Sequence, residues 1–218
     1  PEDATGVLLS SRKIDSVNLL AWPFTAFKNQ DSSSGKDDFY GYGANTESGA
    51  ISFVGADLFV DSPLGGALYA SDLSDTWQQF YGNLHFKRPG LFLDANLYQT
   101  RDTGRALAGA IDNTAFSLSG KYSFGPHAVM LGWQRINGDT PFDFVGGDSI
   151  YLANSIKYAD FNGAGERSWQ ARYDLDLGAF GVPGLKFMTR YVSGSHIDGT
   201  HAPKGGAYKP FDADSADY

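Results

Sequence analysis

Apolar and polar residues alternate one by one along much of the chain. Between 168 and 177, Trp169, Ala171, Tyr173, Leu175 and Leu177 interleave with Ser168, Gln170, Arg172, Asp174 and Asp176. A period of two places these sets on opposite faces of a strand, whereas a helix would spread the charges around its axis. Residues 114–124 repeat the pattern: Phe116, Leu118, Tyr122 and Phe124 oppose Ser117, Ser119, Lys121 and Ser123. Residues 91–100 set Leu91, Leu93, Ala95 and Leu97 against Asp94, Asn96 and Tyr98. Further strands are predicted at 7–14, 17–28, 50–60, 64–73, 76–86, 128–136 and 185–193, about ten in all. The clearest have the roughly 9–11 residues that a tilted strand needs to cross a bilayer.

The connections have a rhythm of their own. Long loops are predicted at 29–49, 101–113 and 137–167, with a polar tail from 194. Short turns lie near Asp15, at 61–63, 87–90 and 125–127, and at a Gly/Pro turn, 178–184. Long and short alternate, with a short link at 72–75 as the exception. An antiparallel membrane barrel keeps its long loops on one side and its turns on the other. Aromatic residues gather near strand ends, as in the girdles of such barrels: Trp22, Phe24, Trp77, Phe86, Phe92, Tyr98, Tyr122, Phe124, Trp133, Trp169 and Tyr191. The alternation predicts an all-β, antiparallel chain, and leaves a transmembrane barrel and a soluble sandwich both open.

Composition narrows the choice. The 218 residues include 27 Gly, 12 Tyr, 16 Phe and 4 Trp but only 2 Met, a mixture suited to short strands and turns rather than long helices. No run of about 18 apolar residues offers a transmembrane helix. A mean hydropathy of −0.29 is low for a helical membrane protein, but not for a barrel in which every second strand residue faces water. The net charge of −8 argues against nucleic acid as a partner. With no cysteine, a disulfide scaffold, a thiolate metal site and a cysteine nucleophile are excluded. No basic segment followed by an apolar stretch opens the chain, so no signal peptide is read there. No linker or internal repeat divides it, so residues 1–218 are expected to form one barrel domain. Both ends lie in loop-like sequence, so that domain is expected to be partial, a piece of a larger barrel.

Six segments resemble the OprD family of substrate-specific outer-membrane porins of Gram-negative bacteria. They are 63–77 (PLGGALYASDLSDTW), 106–113 (ALAGAIDN), 138–142 (GDTPF), 147–154 (GDSIYLAN), 166–176 (ERSWQARYDLD) and 182–191 (VPGLKFMTRY), the last followed by Asp198 to Thr200. The resemblance implies a transmembrane antiparallel β-barrel of 18 strands, monomeric and about twice this length, with this chain as its central portion. It implies a bacterial outer-membrane location and passive uptake of small carboxylate-bearing solutes, such as amino acids or aromatic and aliphatic acids. Infolded loops would narrow the pore, and a ladder of basic side chains would guide the solute. No cofactor is implied.

Alternation gives the lumen charges independently. Lys121, Arg172, Lys186 and Arg190 share phase with the polar faces of their strands, and Arg12 is a further candidate. Arginine suits a carboxylate pathway because its planar fork binds bidentately and stays charged. The simpler reading is that Arg172 pairs with Asp174 or Asp176. Arg135, in phase with Trp133 at a strand end, is expected to reach the lipid headgroups. In the longest loop, Asp148, Ser149 and Asn154 are candidates for the constriction. By resemblance that loop folds into the pore and its acid reads a substrate ammonium, while an ordinary turn is the alternative. Chemistry of other kinds finds little support. His85, His127, His196 and His201 lie in no nucleophile motif, and no Gly-x-Ser-x-Gly elbow occurs. Neither 196–201 nor 212–217 completes a metal-ligand set. The chain is therefore read as a channel and not an enzyme. An outer-membrane barrel hydrolase and a soluble secreted β-sandwich binding protein stand as the other readings.

Overall fold

A computed structural model of the chain describes residues 3–29, 32–41, 44–145 and 150–208. The strands are β1 (Asp3–Gly6), β2 (Leu9–Ile14), β3 (Val17–Lys28), β4 (Phe39–Gly41), β5 (Ala44–Ser48), β6 (Ile51–Leu58) and β7 (Leu64–Leu73). They continue with β8 (Trp77–Arg88), β9 (Leu91–Asp102), β10 (Asp112–Phe124), β11 (His127–Asn137), β12 (Arg167–Asp176) and β13 (Lys186–Ser195). β1 and β2 follow one another along β3. From β3 the sheet runs β6, β7, β8, β9, β10, β11, β12 and β13, every neighbour antiparallel. With β1 and β2 taken as one interrupted stave, the sheet has ten staves, the number the alternation predicts. β4 and β5 form a separate hairpin within the first long loop.

Turn chemistry fixes the register. Pro89-Gly90 joins β8 to β9, and Gly90 takes a φ of 76°, the left-handed value that a proline-glycine turn asks of its second residue. Gly125, at φ 55°, precedes Pro126 between β10 and β11. The 178–184 turn begins with a short 3-10 helix, Leu177–Phe180, capped by the Asp176 carboxylate accepting from the Gly178 N–H at 2.9 Å. Leu177 consequently leaves the apolar face of the strand that alternation gave it.

The two faces of the sheet are inverted relative to a soluble protein. Leu68, Leu84, Leu97, Leu118 and Leu131, on five successive strands, are between 46% and 60% exposed on one uncovered face. Gln79, Asn96, Ser117, Gln134 and Gln170, on the other face, are buried. So broad an exposed apolar surface exceeds what a soluble monomer tolerates and requires lipid. The links after β3, β7, β9 and β11 all lie at one end, so the short link after β7 sits among the long loops. Buried apolar residues concentrate at that end. One cluster joins Phe27, Phe39, Ile51, Leu73, Trp77, Ala108 and Ile111; the other joins Tyr98, Ala115, Ile136, Phe142, Phe144 and Leu152.

Candidate functional site

The loop between β11 and β12 lies across the polar face, held there by side chains rather than by strand pairing. Gln79 on β8 donates to the Asp143 carbonyl at 3.0 Å, and the Trp77 indole donates to the Asp143 carboxylate at 2.8 Å. The Tyr98 hydroxyl accepts from the Tyr151 N–H at 3.0 Å, and Ser117 Oγ accepts from the Ala153 N–H at 3.1 Å. Gln134 accepts from the Asn154 N–H at 2.9 Å while donating to the Asp160 and Phe161 carbonyls. Gln170 on β12 donates to the Ala153 carbonyl. Five neighbouring strands thus each contribute a polar side chain, which satisfies loop backbone that would otherwise be buried unpaired.

Beneath and beside this loop the face divides into two regions. On β3 to β9 it is aromatic and acidic. Tyr69, Tyr81 and Tyr98 are consecutive cross-strand partners, with ring centroids 6.3 and 4.5 Å apart, and Trp22 and Tyr151 join the row. Their hydroxyls are engaged: Tyr69 donates to Asp57 at 2.5 Å and Tyr81 to Asn96 at 2.7 Å. Asp94 accepts from Asn83 at 2.8 Å. These residues line a groove of about 1310 Å³.

On β10 to β13 the same face is basic. Lys121, Met130, Arg172 and Arg190 are successive partners across four strands, so three cations share one transverse row. At about 4.8 Å per strand, Lys121 and Arg190 stand roughly 14 Å apart. Arg172 and Arg190 line a cavity of about 350 Å³ with Gln170 and Lys157. Met130, Ile150 and Ala153 border both spaces, so loop residues 150–153 stand between the tyrosine groove and the arginines.

The other expected site residues fall as follows. Arg172 does bind Asp174, through Nε at 2.9 Å and Nη2 at 2.6 Å. Nη1 has no partner among the described residues. Arg190 Nε is buried and unpartnered among them. Lys186 lies on the same phase as Arg190, four residues nearer the short-turn end, opposite Asp176. Arg12 is exposed in the irregular stretch between Ser11 and Ile14, where no partner fixes its phase. Asn154 is fully buried and donates to Ser168 Oγ at 2.9 Å, a staple between loop and β12. Asp148 and Ser149 lie outside the described residues.

Glu166 was not foreseen as a site residue. Its carboxyl is buried at the root of the loop, where Oε2 accepts from the Gly163 N–H at 2.8 Å. Gly194 makes room for it, since a Cβ there would overlap Oε1. Burial pushes the carboxyl up to about 7, the Gly163 bond offsetting part of the shift.

Comparison with known proteins agrees with this geometry. A family model described as outer membrane porin, OprD family, matches residues 1–216. The chain belongs to the OprD family. It is 41% identical to Porin D of Pseudomonas aeruginosa over 214 residues, covering 92% of this chain and 48% of that protein. It is 29% identical to Porin-like protein GalP of Pseudomonas putida, covering 90% and 50%. The crystal structure of OprD from P. aeruginosa superposes with a TM-score of 0.79 at 41% identity, covering 90% of this chain and 50% of that one. P. aeruginosa OccD3 (OpdP) gives a TM-score of 0.86 at 34% identity, with 95% and 53% covered. The chain spans about half the length of the curated relatives it matches.

As an OprD-family β-barrel porin the chain resides in the outer membrane, and the soluble sandwich falls away. The hydrolase reading gains nothing from the histidines. His85 contacts Asn83, His127 contacts the Tyr173 hydroxyl, and His196 contacts Ser195, whose neighbouring acid Asp198 is engaged by Thr200 and His201. Among the described residues no group of three acidic or histidine side chains could hold a metal. The expected girdle is corrected in part. Tyr122, Phe124, Trp133, Trp169 and Tyr191 are exposed on the lipid side. Trp22, Phe24, Trp77, Phe92 and Tyr98 instead line the groove, because each is in phase with the polar face.

Proposed function

We propose that the porin is a passive, monomeric channel selective for small carboxylate-bearing solutes, amino acids or aromatic and aliphatic acids, with no catalytic chemistry. The observation that carries this reading is the row Lys121, Arg172, Arg190 beside the infolded loop. A carboxylate entering that space meets fixed cations that offer charge-assisted, bidentate bonds. Conduction also requires release, and Asp174 weakens Arg172 by holding part of its fork. Lys186 continues the same phase toward the periplasmic turns, and Asp148, Ser149 and Asn154 belong to the loop that narrows the path. Arg12 is the remaining candidate for the same route, on the alternation of its sequence alone.

Liposome swelling with the full-length protein tests this reading. The K121Q/R172Q/R190Q variant keeps side-chain bulk and is expected to slow a small carboxylate severalfold while leaving its neutral amide nearly unchanged. Added salt should narrow the difference, since pore charges are screened. Equal loss for both solutes would assign these residues to structure instead.

A further inference from the structure

The lipid-facing surface carries a second basic pair that the solute path does not use. Arg135, near the end of β11, and Arg167, which opens β12, are direct cross-strand partners. Two residues toward the membrane interior on the same face lie Trp133 and Trp169, also partners. Both tryptophans are exposed, and they continue sideways into Phe116 and Tyr191, with ring centroids 5.9 and 5.2 Å away. Tryptophan marks the headgroup level of a bilayer. The arginines stand about 7 Å beyond it on the long-loop side.

Two like charges directly opposite one another destabilise a sheet unless something offsets them. Nothing in the described chain does. Neither arginine takes part in an ion pair among the described residues, and Arg135 Nε is buried without a hydrogen-bond partner. Two acids of the adjoining segments have partners of their own. Asp112 on β10 pairs with Arg101 at 3.7 Å, and the Glu166 carboxyl is turned to the opposite face against Gly163. Among the described residues no acid completes the pair, and its place at headgroup depth suits an anionic lipid headgroup.

We propose that Arg135 and Arg167 form a clamp for a phosphate on an outer-leaflet lipid headgroup. Two planar forks side by side offer parallel N–H donors to the oxygens of one phosphate. The acyl chains would then lie along Trp133 and Trp169, so that the lipid is held at both its charged and apolar ends.

Tryptophan quenching by brominated lipids tests the clamp in the full-length protein, with a W133F/W169F variant giving the signal from all other tryptophans; within this chain Trp22 and Trp77 line the groove and Trp133 and Trp169 face lipid. Brominated phosphatidic acid, which carries a phosphate monoester, is compared with brominated diacylglycerol, which has none. Preference for the former is expected in the parent and should fall at least tenfold in R135Q/R167Q, since each arginine supplies a charge-assisted bond worth about that factor or more. R135K/R167K keeps the charge without the fork, should be intermediate, and serves if the glutamine variant does not fold. Excess inorganic phosphate should leave the preference in place. Unchanged preference in a folded variant would overturn the clamp, and full displacement by inorganic phosphate would assign the pair to a soluble ion.

Discussion

Arg172 shows how one residue serves two demands. Its Nε and Nη2 lie on Asp174, which keeps the guanidinium in place, while its other edge borders the cavity shared with Arg190. Glu166 is the opposite case, a carboxyl whose charge the fold resists. Its folded value of about 7 lies above the ordinary 4.5, so the buried form holds a proton that the unfolded chain releases. The stability this gives the loop root is complete below about 4.5 and is lost as pH rises through 7. A spin label at exposed Tyr158, introduced as cysteine, should therefore become more mobile from pH 5 to about 8, and Glu166→Gln should remove the trend. A pH-independent label would mean that Glu166 does not hold the loop. Alternation found Arg172 and Arg190 because both sit within regular strands. It could not find Glu166, whose carboxyl fits only because Gly194, on β13, leaves room for it.

At the scale of the element, alternation tells what each strand side meets. Leu118 and Ser119 are sequence neighbours on opposite faces of β10: the first is exposed to lipid and the second lines the groove. Leu118→Arg should lower the stability of the folded barrel by about 2–4 kcal/mol, measured by urea titration in detergent. Ser119→Arg should fold with near-parent stability and lower the conductance. Similar costs at both sites would contradict a lipid-facing surface. The aromatic residues show where such reading stops. A ring at a strand end suits a girdle or a pore wall equally, and only phase separates Tyr122, outside, from Tyr98, inside. The tyrosine row itself was latent in the sequence: Tyr69, Tyr81 and Tyr98 each fall on the polar phase, but their alignment depends on register across three strands. The course of the 138–166 loop was legible still less. Its anchors, Gln79, Gln134 and Gln170, act through single bonds to loop backbone, which leave no periodic trace.

For the whole molecule, the order of strands puts the loops after β3, β9 and β11 on one side, which in outer-membrane barrels is the cell exterior. Cysteines at the exposed positions Ser33, Ala110 and Tyr158 should all react with an impermeant maleimide on intact cells. Labelling of any one only after permeabilisation would contradict the topology. The same sidedness puts the tyrosine groove and the arginine cavity on either side of the loop, within one lumen. We propose that this lumen conducts carboxylates by way of Lys121, Arg172 and Arg190. Single-channel recording of the full-length protein in planar bilayers, with a small aromatic carboxylate added to the bath, reads this passage directly. The parent should show brief current interruptions, absent with the neutral amide, and K121Q/R172Q/R190Q should shorten them about tenfold at unchanged open-pore stability. Interruptions of equal duration in parent and variant, or from the amide as readily as from the carboxylate, would contradict it.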